Sequence, residues 1–301
     1  MSDPAAGHTP VLSDQLLALL DPQPGQTVLD CTLGRAGHAA LLTARIGASG
    51  TLVGLDMDEA NLAFAREQLA AVPCRIELRH ANFADAPHVL RELGIAGVDV
   101  LLADLGFASN QMDDPARGLS FAADGPLDMR LDRSLPHTAA DLVATLDERE
   151  LADVIYEYGE ERLSRKIARK IVAEREQRPI LTTMDLARLV RAAYGRAGRS
   201  RIDPATRTFM ALRIAVNDEL GSLRRLLEHL PRLLNPGARA AIISFHSLED
   251  RLVKQCFVAM ERDGQAQRLT RKPLSATDAE RHANPRSRSA KLRVLRWAAN
   301  G

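Results

Sequence analysis

The sequence is poor in residues that would tie it to several common classes. It has three cysteines in 301 residues, Cys31, Cys74 and Cys256, an odd number spread far apart. A disulfide framework needs an even, patterned set, and a zinc site needs ligands at short fixed spacings, so neither is read and no metal is expected. Aromatic residues make up only 4% of the chain. Base-stacking platforms of the RNA-recognition-sheet kind are therefore not expected. No apolar run approaches the length of a membrane span, and the first residues lack a basic-then-apolar segment. The expectation is a cytoplasmic protein with no membrane partner.

Net charge is nearly absent as well, at +1, but it is unevenly spread. Residues 1–161 carry 10 basic and 26 acidic side chains, residues 162–213 carry 14 and 4, and residues 261–301 carry 10 and 4. Two basic blocks on a near-neutral chain point to a polyanion held on one side, with solvated helix faces as the plainer reading. Hydrophobic residues reach 46%, enough for a sizeable core in one large domain or two smaller ones.

What the chain does have is a βαβ rhythm over its first hundred residues. Short apolar runs predict strands at Thr27–Leu33, Thr51–Asp56, Arg75–Ala81 and Val98–Leu105, with Glu59–Ala71 the clearest helix between them. Parallel strands joined this way bring their carboxyl ends to one edge, where ligands bind. Gly34, Asp56, Asn82-Phe83 and Asp104 all fall at or just after such ends. The rhythm then breaks. Residues 109–133 are rich in Asp, Gly, Pro and Ser and predict a long structured loop, of the kind that is usually functional. From Ala139 to about Ala197 the pattern is helical: Leu163, Ile167 and Ile171 share a face beside Arg165, Lys166, Arg169 and Lys170. Gly159 predicts a helix stop, and Thr182 with Asp185 a helix start. Asp203-Pro204 predicts the start of one long helix running towards Leu230. Strand character returns at Ala240–Phe245, after the turn Asn235-Pro236-Gly237, and again at Lys291–Trp297. The organisation expected is a discontinuous sheet domain, 1–108 with 214–301, interrupted by an acceptor loop and helical insert at 109–213.

The segment Asp30-Cys31-Thr32-Leu33-Gly34-Arg35-Ala36-Gly37-His38 joins the first strand to a helix. It is neither the dehydrogenase pattern G-x-G-x-x-G nor a phosphate loop ending in Lys-Ser/Thr. A glycine turn, an acid at the strand end and a second acid, Asp56, after the next strand suit S-adenosylmethionine better than NAD or ATP. That cofactor needs no pyrophosphate cradle, but it does need a carboxylate for its ribose. Asn82 and Phe83 offer an amide edge and an aromatic face for adenine, against plain core packing for Phe83. Asp104 stands where an acceptor would sit, against a loop-ordering aspartate. Phe245-His246-Ser247-Leu248-Glu249-Asp250 has a His, a Ser and acids but no nucleophile elbow, so substrate contacts or a helix cap at Ser247 are read there.

The stretch Asp104-Leu105-Gly106-Phe107-Ala108-Ser109-Asn110-Gln111-Met112-Asp113-Asp114-Pro115 continues through Arg117-Gly118-Leu119-Ser120-Phe121 to Asp124-Gly125-Pro126-Leu127-Asp128-Met129-Arg130-Leu131-Asp132. It closely resembles the bacterial ribosomal RNA small-subunit methyltransferase H family. Matching blocks follow in order: His8–Leu12, Asp30–His38, Tyr158–Arg162, Pro204–Phe209, Ser244–Arg251 and Asn284–Ser289. The resemblance implies an α/β fold, a class I S-adenosylmethionine-dependent methyltransferase (Rossmann-like) sheet with an inserted all-helical domain. It implies N4-methylation of a cytosine in the decoding region of small-subunit ribosomal RNA, on the naked RNA or the assembled 30S subunit, by a monomer or a homodimer. Position by position it implies cofactor contacts at Ala36, Gly37, His38, Asp56, Phe83, Asp104 and Gln111. Substrate contacts are expected at Ser109, Asn110, Arg207, His246, Arg286 and Arg288, and Asp104 is the candidate catalytic group. The chain departs from the family where Ala108-Ser109-Asn110 replaces Ser-Ser-Pro, where Asp203 replaces His, and where Met210 replaces Gln.

The segment after the fourth strand, Leu105-Gly106-Phe107, holds no Pro-Cys for a cytosine-C5 mechanism and is not the Pro-Pro-aromatic of DNA amino-methyltransferases. Direct transfer to N4, as the resemblance implies, is expected, with the basic insert and the C-terminal segment gripping phosphates. The alternative from a different class is a non-catalytic or altered-specificity RNA-binding assembly factor on the same fold.

Overall fold

The structure, a computed structural model, describes residues 10–195 and 203–298. His8 and Thr9 of the first matching block lie outside the described residues. Eight strands are present among those described: β1 Thr27–Asp30, β2 Thr51–Asp56, β3 Arg75–His80, β4 Val98–Asp104, β5 Leu234–Ser244, β6 Ala266–Arg268, β7 Leu274–Ser275 and β8 Lys291–Trp297. The helices in chain order are α1 Ser13–Leu20, α2 Gly37–Ile46, α3 Glu59–Gln68, α4 Ala86–Glu92, α5 Ser109–Asp113, α6 Ala139–Thr145, α7 Glu148–Gly159, α8 Ser164–Arg175, α9 Thr183–Tyr194, α10 Ala205–Asn217, α11 Glu219–Leu233, α12 Ser247–Arg262 and α13 Asp278–Ala283. They divide into two compact units, one within Met1–Gly106 with Leu220–Gly301 and one within Phe107–Glu219.

The first unit is built on one sheet in the order β3-β2-β1-β4-β5-β8-β6, with β7 on β8. Neighbours from β3 to β5 run parallel, and β8 is antiparallel to β5. Strand residues alternate between two apolar layers. Leu29, Leu101, Ala103 and Ile242 point into one with α4, α11 and α12. Val28, Val100, Leu102 and Ile243 point into the other with α1, α2 and α3. Both faces being covered explains why β1, β2 and β4 read as continuous apolar runs rather than alternating ones. The order reverses between β1 and β4, and the carboxyl ends on either side of that switch carry Asp30 and Asp104.

Two local expectations are corrected. Asn235-Pro236-Gly237 does not precede a strand; it lies inside β5, where pairing jumps from Val98↔Leu234 to Val100↔Arg239. The Asn235 amide donates to Asp99 at 2.9 Å and Gly237 takes φ +82°, so the turn chemistry is accommodated as a bulge. The long helix expected from Asp203 towards Leu230 is two helices, broken at Asp218, which sits in the left-handed region at φ +46°. The expected boundary at 213/214 falls inside α10.

The second unit packs α6 to α10 around Val143, Ile155, Ile167, Ile171, Leu186, Val190 and Leu212. Helix starts follow from sequence: Thr138 and Thr182 accept the backbone N–H groups of Asp141 and Asp185. The preceding loop is tied to this core. Leu119, Leu127, Met129 and Leu131 are buried in it, and the Arg117 guanidinium, also buried, donates to the Leu131 carbonyl at 2.8 Å. The Asn217 amide accepts from Leu131 N–H at 2.7 Å and donates to the Met129 carbonyl at 2.8 Å. At Gly118, φ is +66° and a Cβ would stand 2.2 Å from the Pro126 carbonyl, so only glycine fits.

Candidate active site

The turn after β1 is locked to the end of β2. Gly34 (φ +52°) and Ala36 (φ +64°) are both left-handed, which swings the chain sharply into α2. Asp56 holds the turn: one carboxylate oxygen accepts Gly34 N–H at 2.7 Å, and the other accepts Asp58 N–H at 2.8 Å and the Asn61 amide at 3.3 Å. Burial raises the Asp56 carboxyl above its usual range in spite of these donors.

Asp30 and Asp104 end adjacent strands. Asp30 is 1% exposed and accepts Thr32 N–H at 3.1 Å. Burial pushes its carboxyl up to about 7, with His38 pulling the other way. Asp104 N–H donates to the Thr32 hydroxyl at 2.6 Å, so Thr32 bridges the two strand ends. His38, in the first turn of α2, is 6% exposed, and its Nε2 stands 3.5 Å from Asp104 Oδ2. Among the described residues, neither ring nitrogen of His38 has a hydrogen-bond partner, and neither does Asp104 Oδ1. Three buried polar atoms left unpaired at one strand edge are costly, and they mark where a polar ligand would be met.

The expected contacts are thus distributed unevenly. Ala36, Gly37, His38, Asp56 and Asp104 lie on the carboxyl edge of the sheet around the β1–α2 turn. Phe83 lies after β3 on the same edge, half-buried and packed on the apolar layer below. Asn82 does not offer a free amide edge: its oxygen caps the short turn at Ala84 N–H (2.8 Å) and its nitrogen donates to Ser222 (3.0 Å). Gln111 belongs to the second unit, where its buried side chain accepts Ala108 N–H at 2.9 Å at the start of α5. Ser109 and Asn110 are in the same short helix; the Ser109 side chain is outside the described ones.

The helix cap expected at Ser247 is instead His246, the residue preceding α12. Glu249 closes the box, accepting His246 N–H at 3.3 Å and also Phe245 N–H at 2.8 Å, while His246 Nε2 stands 3.1 Å from Glu249 Oε1. His246 thus stands beside the acid of its own helix start. Arg207 is exposed and donates to the Glu160 carbonyl at 3.4 Å. Arg286 and Arg288 are exposed on a short 3-10 turn on either side of buried Ser287.

Two contributors were not among the expected contacts, Thr32 and Asn61. Thr32 has a sequence signal, a hydroxyl two residues beyond a strand-end acid. Asn61 has only its place one turn into α3 beside Asp56.

A model of the MraW methylase family matches residues 5–298. The chain is 50% identical over 305 residues to "Ribosomal RNA small subunit methyltransferase H" of Syntrophotalea carbinolica, covering 96% of this chain and 97% of that one. It is 48% identical over 287 residues to the protein of the same name from Deinococcus deserti, covering 95% and 92%. Among solved structures, a putative rRNA methylase from Clostridium thermocellum aligns with TM-score 0.48 at 11% identity, covering 97% of this chain and 99% of that one. The strand order, with its antiparallel β8, is that of the class I fold expected from the sequence.

Proposed function

Because the chain belongs to the MraW methylase family, we propose that it methylates small-subunit ribosomal RNA with S-adenosylmethionine, at the exocyclic N4 of a cytosine in the decoding region. The observation that carries the reading is the edge where Asp30, His38, Asp56 and Asp104 converge with buried polar atoms unpaired. The donor set fits the cofactor. The Asp56 oxygen that accepts Gly34 N–H keeps a lone pair for a ribose hydroxyl, its other oxygen being taken by Asp58 N–H and the Asn61 amide. The left-handed turn at Gly34 and Ala36 lets main chain approach the methionyl part, and His38 offers ring nitrogens beside it. Phe83 supplies an apolar surface on the adenine side.

When bound, the cofactor supplies an electrophilic methyl group on a sulfonium, so no covalent intermediate with the protein is needed. N4 of cytosine is a weak nucleophile because its lone pair is delocalised into the ring. The chain's task is to hold N4 in line and to accept one of its hydrogens. The unpaired Asp104 Oδ1 is the group for this: it accepts the N4 hydrogen and then takes the proton. The cytosine has to leave its stack to reach this edge. The helical unit, with Arg286 and Arg288 of the sheet unit, contacts the flanking RNA.

The test is methyl transfer from labelled S-adenosylmethionine to small-subunit rRNA, beside cofactor titration. Asp104→Asn is expected to lower turnover by roughly 10²–10⁴-fold and to weaken cofactor binding far less. Full turnover at wild-type affinity would remove Asp104 from the chemistry. A wild-type chain that binds rRNA but no cofactor would instead be a non-catalytic assembly factor.

A further inference from the structure

The basic block 162–213 separates into two kinds of cation. Every described cation from 171 onwards has a partner. Arg175 donates to the Val143 and Leu146 carbonyls, and Arg178 and Arg188 pair with Glu174 and Asp185. Arg191 pairs with Asp203, Arg207 binds the Glu160 carbonyl, and Arg213 pairs with Glu219. Around the first half of α8 the pattern is the opposite. Arg162, Arg165, Lys166 and Lys170 have no ion pair or hydrogen bond among the described residues, and only Arg169 meets an acid, Glu148 at 3.4 Å. At about 100° per residue, positions 165, 166, 169 and 170 fall within roughly 140° of arc. Buried Ser164, Ile167, Ala168 and Ile171 occupy the opposite face.

This arrangement costs the fold stability. Cations at i and i+4 repel one another, and Arg165 and Lys166 stand in a first turn that holds no acid, at the positive end of the helix. Among the described residues only the Arg169–Glu148 pair offsets the cost, so the explanation lies in a polyanionic partner. Resting on the reading that the substrate is small-subunit rRNA, we propose that the outer face of α8, Arg165, Lys166 and Lys170, together with Arg162 in the turn before it, is the surface by which the helical unit grips RNA phosphates. The described arginines downstream in the same basic block are engaged within the unit instead.

The experiment measures binding of the full chain to small-subunit rRNA and to the 30S subunit over a salt series. Three proteins are compared: wild type, the triple variant Arg165→Gln/Lys166→Gln/Lys170→Gln, and a control, Arg178→Gln/Arg188→Gln. Each lost phosphate contact lowers the slope of log affinity against log salt by about 0.7 to 0.9. The triple variant is expected to lose about 2 from that slope, and roughly a hundredfold in affinity near 0.1 M salt. Its cofactor affinity and thermal midpoint are expected to stay unchanged, and the control to keep the wild-type slope. A wild-type slope in the triple variant, or an equal loss in the control, overturns the assignment and leaves the RNA reading standing. A wild-type protein whose rRNA binding shows no salt dependence overturns both.

Discussion

At Asp30 burial outweighs every favourable contact. The carboxyl rises from 3.8 to about 7 although it accepts Thr32 N–H and lies near His38. The folded chain therefore holds this proton to higher pH than the unfolded chain does. Stability from this group is full below the unfolded value, is lost as pH rises towards 7, and is level above that. Asp30→Asn keeps the oxygen that accepts Thr32 N–H and removes the charge. It is expected to gain stability over wild type progressively between pH 4 and 7, reaching on the order of 2 kcal/mol at pH 8. Urea denaturation at several pH values reads this, and parallel pH profiles for the two proteins would contradict it. Residues of this kind were partly legible in the sequence. Asp56 and Gly34 could be placed because each ends an apolar run. Asn82 could not be read correctly, because its amide partner Ser222 is distant in sequence and is brought close only by α11.

Elements were legible where local pattern decides them and illegible where a distant partner does. The parallel strands and the starts of α6 and α9 follow from apolar runs and capping threonines. The bulge in β5 depends on Asp99 meeting Asn235, and the break between α10 and α11 on the commitment of Asn217 to the loop. That loop reads in sequence as an acceptor loop, yet from Arg117 to Leu131 its residues mostly fasten it to the helical core. Asn217→Ala would leave the buried Leu131 N–H without its acceptor and the Met129 carbonyl without this donor. A loss of about 2–3 kcal/mol is expected in denaturant unfolding. A change within 0.5 kcal/mol, the range of ordinary surface substitutions, would show that the loop is held by apolar burial alone.

For the whole molecule, the charge asymmetry was visible in composition, but which cations face outward was not. Among the described residues, ion pairs and carbonyl contacts inside the helical unit engage the later arginines and leave Arg165, Lys166 and Lys170 of α8 without such partners. The sheet unit brings Asp30, Asp56 and Asp104 to one edge, the proposed place of the cofactor, and the first half of α8 in the helical unit carries the cations proposed to meet RNA. The central claim joins the two into one reaction. It is tested most directly by mass spectrometry of small-subunit rRNA from cells with and without the protein. The account predicts the loss of a single methyl group, on N4 of one cytosine in the decoding region, restored by the wild-type gene and not by Asp104→Asn. An unchanged methylation pattern, or a methyl group lost from a different atom, would contradict it.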